Sequence, residues 1–334
     1  MKRPLSIAFL ALLAAGLVAS SQEPDEPEPL ILGSGEHTFE WVRDWAKLPD
    51  GGPLGYTHGC VLVDSQGRVY VNTDTEEAVK VFDSEGNYLT GWGKELAGGL
   101  HGMTVVAEEG EEFLYMTHIG RGELIKATLD GEILWTVGYP EESGLYPDGK
   151  RYHPTSVAVA PNGDIYVADG YGRSWIHRYS KDREYLSSFG GPGQEPGKLA
   201  TPHGIWIKEH QGRHVVIVAD RGNRRLQVFD LEGKLLPGTV DGLLKPCHLH
   251  VRDGEMVVPE IEGRVTILDD KGEVLVHLGE NADPARRDRK DVPPEEWEDG
   301  VFISPHCACF DAEGNVYVVD WLDAGRLTKL KRIR

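Results

Sequence analysis

The chain has 334 residues, 40% of them hydrophobic and 8% aromatic, with 41 glycines and 20 prolines. This much apolar side chain excludes a disordered tail, and glycine spread at that frequency excludes a mainly helical protein in favour of short strands and tight turns. Asp plus Glu is 54 against 35 Lys plus Arg, a net charge of −19 that repels phosphate backbones and anionic lipid and so argues against nucleic-acid binding.

At the N-terminus, Lys2 and Arg3 precede an apolar run from Leu5 to Val18, followed by small residues at Ala19 and Ser20. This layout reads as a signal peptide over residues 1–20, and the apolar core is short for a membrane span. It predicts an exported protein, periplasmic or extracellular, with no integral span after cleavage. No cysteine follows the run, so a lipid anchor is not indicated. Residues 21–36, including QEPDEPEPL, read as an acidic, proline-rich linker. The folded domain is expected over 37–334.

From residue 58 onward the chain repeats itself. VDSQGRVYVNTD (63–74), VAPNGDIYVADG (159–170) and FDAEGNVYVVDW (310–321) share one pattern of alternating apolar residues around a glycine turn. A second pattern recurs in VFDSEGNYLTGWG (81–93), ATLDGEILWTVG (127–138), VFDLEGKLLPGTV (228–240) and ILDDKGEVLVHLG (267–279). Each is a hairpin signature, and the two together make a four-stranded unit. Units begin near His58, His101, Thr155, His203, Cys247 and His306. Repeats of about 40–50 residues with four strands each predict an all-β, six-bladed β-propeller.

The last unit stops one strand short after VYVVDW and RLTKLKRIR. HTFEWVRDWAKLP (37–49) has the character of an outermost strand, so it is expected to complete that blade and close the ring. The insertions at 139–152 and 280–303 are expected as surface loops at one mouth of the channel. The four cysteines, Cys60, Cys247, Cys307 and Cys309, are too few for a disulfide scaffold in a chain of this length.

Aligning the units puts Thr57-His58-Gly59, Leu100-His101-Gly102, Pro202-His203-Gly204 and Pro305-His306-Cys307 at the head of the innermost strand. Thr155 and Cys247 fill the same place in the other two units, giving a ring of six side chains around the axis. A single histidine in such a blade more often packs or hydrogen-bonds than ligates. His101, His203 and His306, however, come from alternate blades and so share a three-fold register. Three imidazoles with an open fourth position suit zinc, with His58 as an additional channel residue. His153, His248 and His250 fall out of register and read as structural or surface histidines.

The strings NGDIYVAD and ADRGNRRLQVFD resemble the NHL repeat family. A six-bladed NHL propeller with one histidine from each of three alternate blades further resembles the peptidyl-α-hydroxyglycine α-amidating lyases. That resemblance rests on PHG, Asp169-Gly170-Tyr171 and Asp220-Arg221 in matching blades and order. It implies zinc held by His101, His203 and His306, with Tyr171 and Arg221 as catalytic groups acting on a peptide-derived or small-molecule carbinolamide. Two positions depart from the family. Its first-blade Arg has no counterpart in NTDTEEA, where Asp74 lies near the place, and its calcium-binding Asp after the last zinc histidine is Cys307 here. Two other functions suit the same fold: a non-catalytic propeller that binds a protein or glycan on one face, and a gluconolactonase-like metal hydrolase using carboxylates such as Glu260 and Asp169.

Overall fold

A computed structural model of the chain describes residues 28–147, 151–210 and 212–334. The signal peptide expected at 1–20 and residues 21–27 of the expected linker lie outside them. Among the described residues, strands alternate with turns and short 3-10 segments, with no α-helix. No helix there is long and apolar enough to cross a membrane.

The strands form six antiparallel sheets arranged as the blades of a propeller. Their innermost strands are Val61–Val63, Leu100–Glu108, Ser156–Val159, Pro202–His210, His250–Arg252 and Pro305–Phe310. Each blade meanders outward from its inner strand by short hairpins. Five of these hairpins turn on the same device. The side chains of Asp64, Asp83, Asp230, Asp269 and Asp311 each accept two backbone N–H groups from two and four residues ahead. Asp at this place supplies the turn with acceptors that the backbone alone lacks. At Gly86 the turn also needs glycine, because φ stands at 83°, in the left-handed region, and an added Cβ would strike the Trp45 carbonyl.

Alternate residues of each second and third strand face the neighbouring blades, which makes the core a set of layers between blades. Tyr70, Tyr166 and Tyr317 occupy the same place in blades one, three and six, and all are fully buried. The Tyr70 hydroxyl donates to Asp64 and the Tyr166 hydroxyl to the Leu231 carbonyl, so neither phenol is buried unsatisfied.

The last blade is completed from the N-terminal side. His37–Val42 pairs antiparallel with Arg326–Arg332, in the register Phe39↔Arg332 to Val42↔Lys329. Phe39 and Trp41 point inward, 0% and 4% exposed, and Trp41 packs on Phe302 with ring centroids 5.0 Å apart. The sequence placed 37–49 in this strand. Pairing ends at Val42, and Trp45 instead packs against Phe82 and Tyr317, under the turn of blade one. A fifth strand, Ile31–Ser34, lies outside the fourth and is joined to it by a turn at Gly35. The end of the expected linker is therefore ordered, because Leu32 alternates inward against the layer around Phe39.

All four cysteines are buried and free, in keeping with a fold that does not depend on disulfides. The 139–152 insertion is not simply a surface loop. Its Tyr146 and Tyr152 are 3% exposed, and Tyr146 donates to Asp169. The 280–303 insertion does reach a mouth of the channel, where Asp288 helps line a cavity.

Candidate metal centre

The three histidines expected on the axis are brought there by β-bulges. In the inner strands of blades two, four and six the pairing slips at the histidine: between Leu100 and Met103, Pro202 and Gly204, and Pro305 and Cys307. The inner strands of blades one, three and five pair with no slip. A bulge inserts one unpaired residue and re-aims its side chain. Here it brings the rings of His101, His203 and His306 together, their centroids 4.9, 5.0 and 4.7 Å apart.

In blades three to six a buried acid fixes the backbone entering the inner strand. Asp220 accepts from Ala200 N, and Asp320 from Ile303 N and Ser304 N. Asp169 accepts from His153 N, and Glu260 from Leu244 N. Each acid ends the second strand of its blade and holds the loop just ahead of the residue facing the axis. Arg225, Arg326 and Arg264 neutralise Asp220, Asp320 and Glu260. In the sequence Asp169, Asp220 and Glu260 stand out as motif or candidate-ligand residues, but their hold on the backbone leaves no trace beyond the acid closing each V-A-D, V-V-D or V-P-E string.

Backbone carbonyls settle the tautomer of each imidazole. The Nδ1–H of His101 donates to Thr155 O, that of His203 to Cys247 O, and that of His306 to Gly59 O, at 2.7, 2.7 and 3.0 Å. A carbonyl only accepts, so Nδ1 carries the proton and Nε2 carries the lone pair. Nε2 of His101 and His306 is buried without any partner, while Nε2 of His203 accepts from the Tyr171 hydroxyl at 2.9 Å. Burial holds all three well below the usual imidazole range, so they are neutral.

This arrangement fits a metal ion. Two orphaned buried lone pairs are costly unless a cation or donor takes them. A ring centre lies about 3.2 Å from a zinc bound at about 2.0–2.1 Å, and three such rings at tetrahedral angles have centres about 5 Å apart. The carbonyl bonds are the outer shell that orients ligating histidines. Donor-atom spacing also admits neighbours to the cluster: His58 lies with His101 and His306, and Cys247 with His203 and His306, each set within 4.8 Å.

The same carbonyl bonds correct the ring read from sequence. His306 donates to Gly59 as His101 does to Thr155, so Gly59, not His58, holds the ring position of blade one. Blade one has no bulge, and His58 therefore falls one residue early, toward the mouth. There its Nε2 stands 3.2 Å from the Tyr171 hydroxyl and its ring lies nearly parallel to that of Tyr171. Burial, with help from Arg221 and Lys290, pushes His58 down to about 4.

Tyr171 and Arg221 meet over the cluster. Arg221 Nη1 donates to the Tyr171 oxygen at 3.3 Å, and its guanidinium lies 5.2 Å from the ring centroid. The phenol thus accepts from Arg221 and His58 and donates to His203. Burial pushes Tyr171 up to about 12, with Arg221 pulling the other way. Both residues line a cavity of about 500 Å³, together with His58, Lys245, Asp288 and Trp321. Glu260 and Asp169 do not reach it as free ligands. Arg264, Thr266 and the Leu244 amide occupy Glu260, and Tyr146 with two backbone amides occupies Asp169. His153 donates to the Ile119 carbonyl, and His250 accepts from Phe310 N and meets Trp206 edge-on, so both are structural. His248 is buried beside Cys60 and Cys307.

Fold and site together define a six-bladed β-propeller with a histidine cluster on its axis and a phenol–guanidinium pair above it. The NHL repeat family matches residues 152–179, the first three strands of blade three. Human NHL repeat-containing protein 3 is 32% identical over 56% of this chain and 55% of its own length. Peptidyl-alpha-hydroxyglycine alpha-amidating lyase 1 of Drosophila melanogaster is 31% identical over 41% of this chain and 26% of its own. The chain thus spans about half the length, or less, of these relatives. A gluconolactonase from Xanthomonas campestris shares the fold, with a TM-score of 0.59 at 16% identity over 89% of this chain and 90% of that one. The chain is a propeller carrying an NHL repeat and related in sequence to amidating lyases.

Proposed function

We propose that the chain is an exported, zinc-dependent carbon–nitrogen lyase that cleaves a carbinolamide of the α-hydroxyglycine type. One observation carries this reading: the rings of His101, His203 and His306 pack together with centroids 4.7 to 5.0 Å apart, each with Nδ1 bonded to a backbone carbonyl, and the Tyr171 hydroxyl donates to His203 Nε2. The relationship to amidating lyases agrees with it.

His101, His203 and His306 would hold the zinc, which supplies Lewis-acid polarisation of the substrate hydroxyl. Tyr171 accepts the hydroxyl proton, and the neighbouring Arg221 charge stabilises the phenolate that does so. The C–O bond becomes a carbonyl as the C–N bond breaks. Tyr171 then returns the proton to the departing nitrogen, leaving an amide and a glyoxylate-like aldehyde. The carboxylate reading is disfavoured, since Glu260 and Asp169 are already engaged in holding backbone.

A second reading, a non-catalytic binding propeller, draws on blade one. The segment after its second strand offers Thr73, Thr75 and Glu77 bonded among themselves, with no basic residue to match the first-blade Arg of the lyases. Metal analysis of purified protein with turnover of an α-hydroxyglycine-terminated amide separates the two. We expect about one zinc per chain at the centre, lost in His203→Ala but kept in Tyr171→Phe and Arg221→Ala, with turnover down at least ~100-fold in the latter two. Zinc without turnover in the wild type would favour the binding propeller; no metal at the histidines would sink the enzyme reading.

A further inference from the structure

Beside the histidine centre lies a second group of donors that shares no residue with it. The donor atoms of Cys60, His248 and Cys307 are within 4.8 Å of one another, and the three residues are only 5%, 7% and 0% exposed. They come from the three consecutive blades one, five and six. Cys60 immediately precedes the inner strand of blade one, His248 lies two residues before that of blade five, and Cys307 sits on that of blade six. Their backbones are held in place: the Cys60 amide donates to the Asn72 side chain, and Cys307 follows the bulge that turns His306 to the axis.

We propose that Cys60, His248 and Cys307 form a second metal site beside the axial histidines, for a thiolate-preferring d10 ion, in the first place zinc. His248 Nδ1 lies 3.3 Å from the Ala308 carbonyl, which fixes the proton there and leaves Nε2 with its lone pair, the arrangement that orients a ligating imidazole. Two sulfurs and an imidazole are a soft to borderline set, distinct from the three nitrogens of the first centre. On binding, each thiol yields its proton to solvent as its metal–sulfur bond forms, with no change of oxidation state. Two thiolates cancel the charge of a divalent ion, so the loaded site is neutral. That matters in a buried layer where no carboxylate is among the ligands, because an uncompensated charge there is strongly penalised. The inference does not depend on the lyase reading, which uses neither cysteine.

Cobalt(II) alone, added to chelator-stripped full-length protein, tests it. Thiolate-to-cobalt charge transfer absorbs in the near ultraviolet, and an all-histidine centre gives no such band. We expect the band in the wild type, in His203→Ala and in Cys247→Ser, and its loss in Cys60→Ser and Cys307→Ser with unchanged melting curves in the metal-free state. Should Cys307→Ser fail to fold, Cys60→Ser and His248→Gln carry the test, the latter with the band shifted or weakened. A wild type without the band, a band that follows Cys247 rather than Cys60, or only two titratable thiols in denaturant, showing Cys60 joined to Cys307, would each overturn the site. Loss of lyase turnover with the band intact would count against the proposed function and leave this site standing.

Discussion

Among single residues, the buried acids bear more of the site than their place in the sequence suggests. Asp220 is fully buried and serves Ala200 N, Asn223, Arg225 and Gln227 at once. Replacing it with alanine strands the Arg225 charge and loosens the segment leading to His203. We expect Asp220→Ala to cost about 3–5 kcal/mol in urea unfolding, and Asp220→Asn, which keeps an acceptor for Ala200 N, to cost clearly less. Equal losses would mean that charge, not backbone clamping, is its role. The histidines could be found from sequence because Pro-His-Gly and Pro-His-Cys recur at two-blade spacing. His58 was misplaced because a bulge adds a residue to the ladder without leaving a gap in the string, so Thr57-His58-Gly59 looks aligned when it is not. The clamping role of the acids was not legible, since an Asp closing V-x-V-x-D reads as an ordinary turn residue. Neither was the Cys60–His248–Cys307 group visible, its members lying 59 or more positions apart with no motif spacing.

At the scale of elements, the closing strand and the strand outside it differ in what they contribute. Trp41 is 4% exposed, packs at a tilt against Phe302 and lies under the Arg326 guanidinium, whereas Ile31 is 46% exposed. Trp41→Ala should therefore destabilise the fold by about 3–5 kcal/mol, and Ile31→Ala by less than about 0.5 kcal/mol, both read from denaturant midpoints. Comparable losses would show that the fifth strand shares in closure. The closing strand was legible as a missing fourth strand matched by an orphan segment. Its partner Ile31–Ser34 was not, since four residues after a run of prolines and acids carry too little alternation to separate strand from linker.

For the whole molecule, the buried histidines set the response to acid. His177 is 0% exposed and pushed down to about 3 by burial; His248, 7% exposed, is pushed down to about 4 by the same cause. Both stay neutral in the fold while their unfolded counterparts take a proton near 6.5, so their stabilising effect is present above that value and lost as pH falls. At pH 5 each costs about 2 kcal/mol relative to neutrality. Asp169 works the other way: burial pushes it up to about 6, so ionisation opposes folding and acid recovers about 1 kcal/mol. The two histidines outweigh it, and burial also holds His58, His250 and the three axial histidines down, so metal-free protein should be at least about 2–3 kcal/mol less stable at pH 5 than at pH 7. Stability unchanged or higher at pH 5 would show that these imidazoles are not held neutral.

Ring closure also imposes an order in time. His37–Val42 leaves the ribosome early, yet its partner Arg326–Arg332 follows only after about 280 further residues, which at about 5–20 residues per second is a delay of roughly 15–60 s. Through that interval Phe39 and Trp41 have no permanent place to go. Blades one to five can each form as they emerge, but the ring stays a crescent with two raw ends. The interval before closure is when a chaperone, or a second nascent chain offering the same unpaired strand, would find this molecule most receptive.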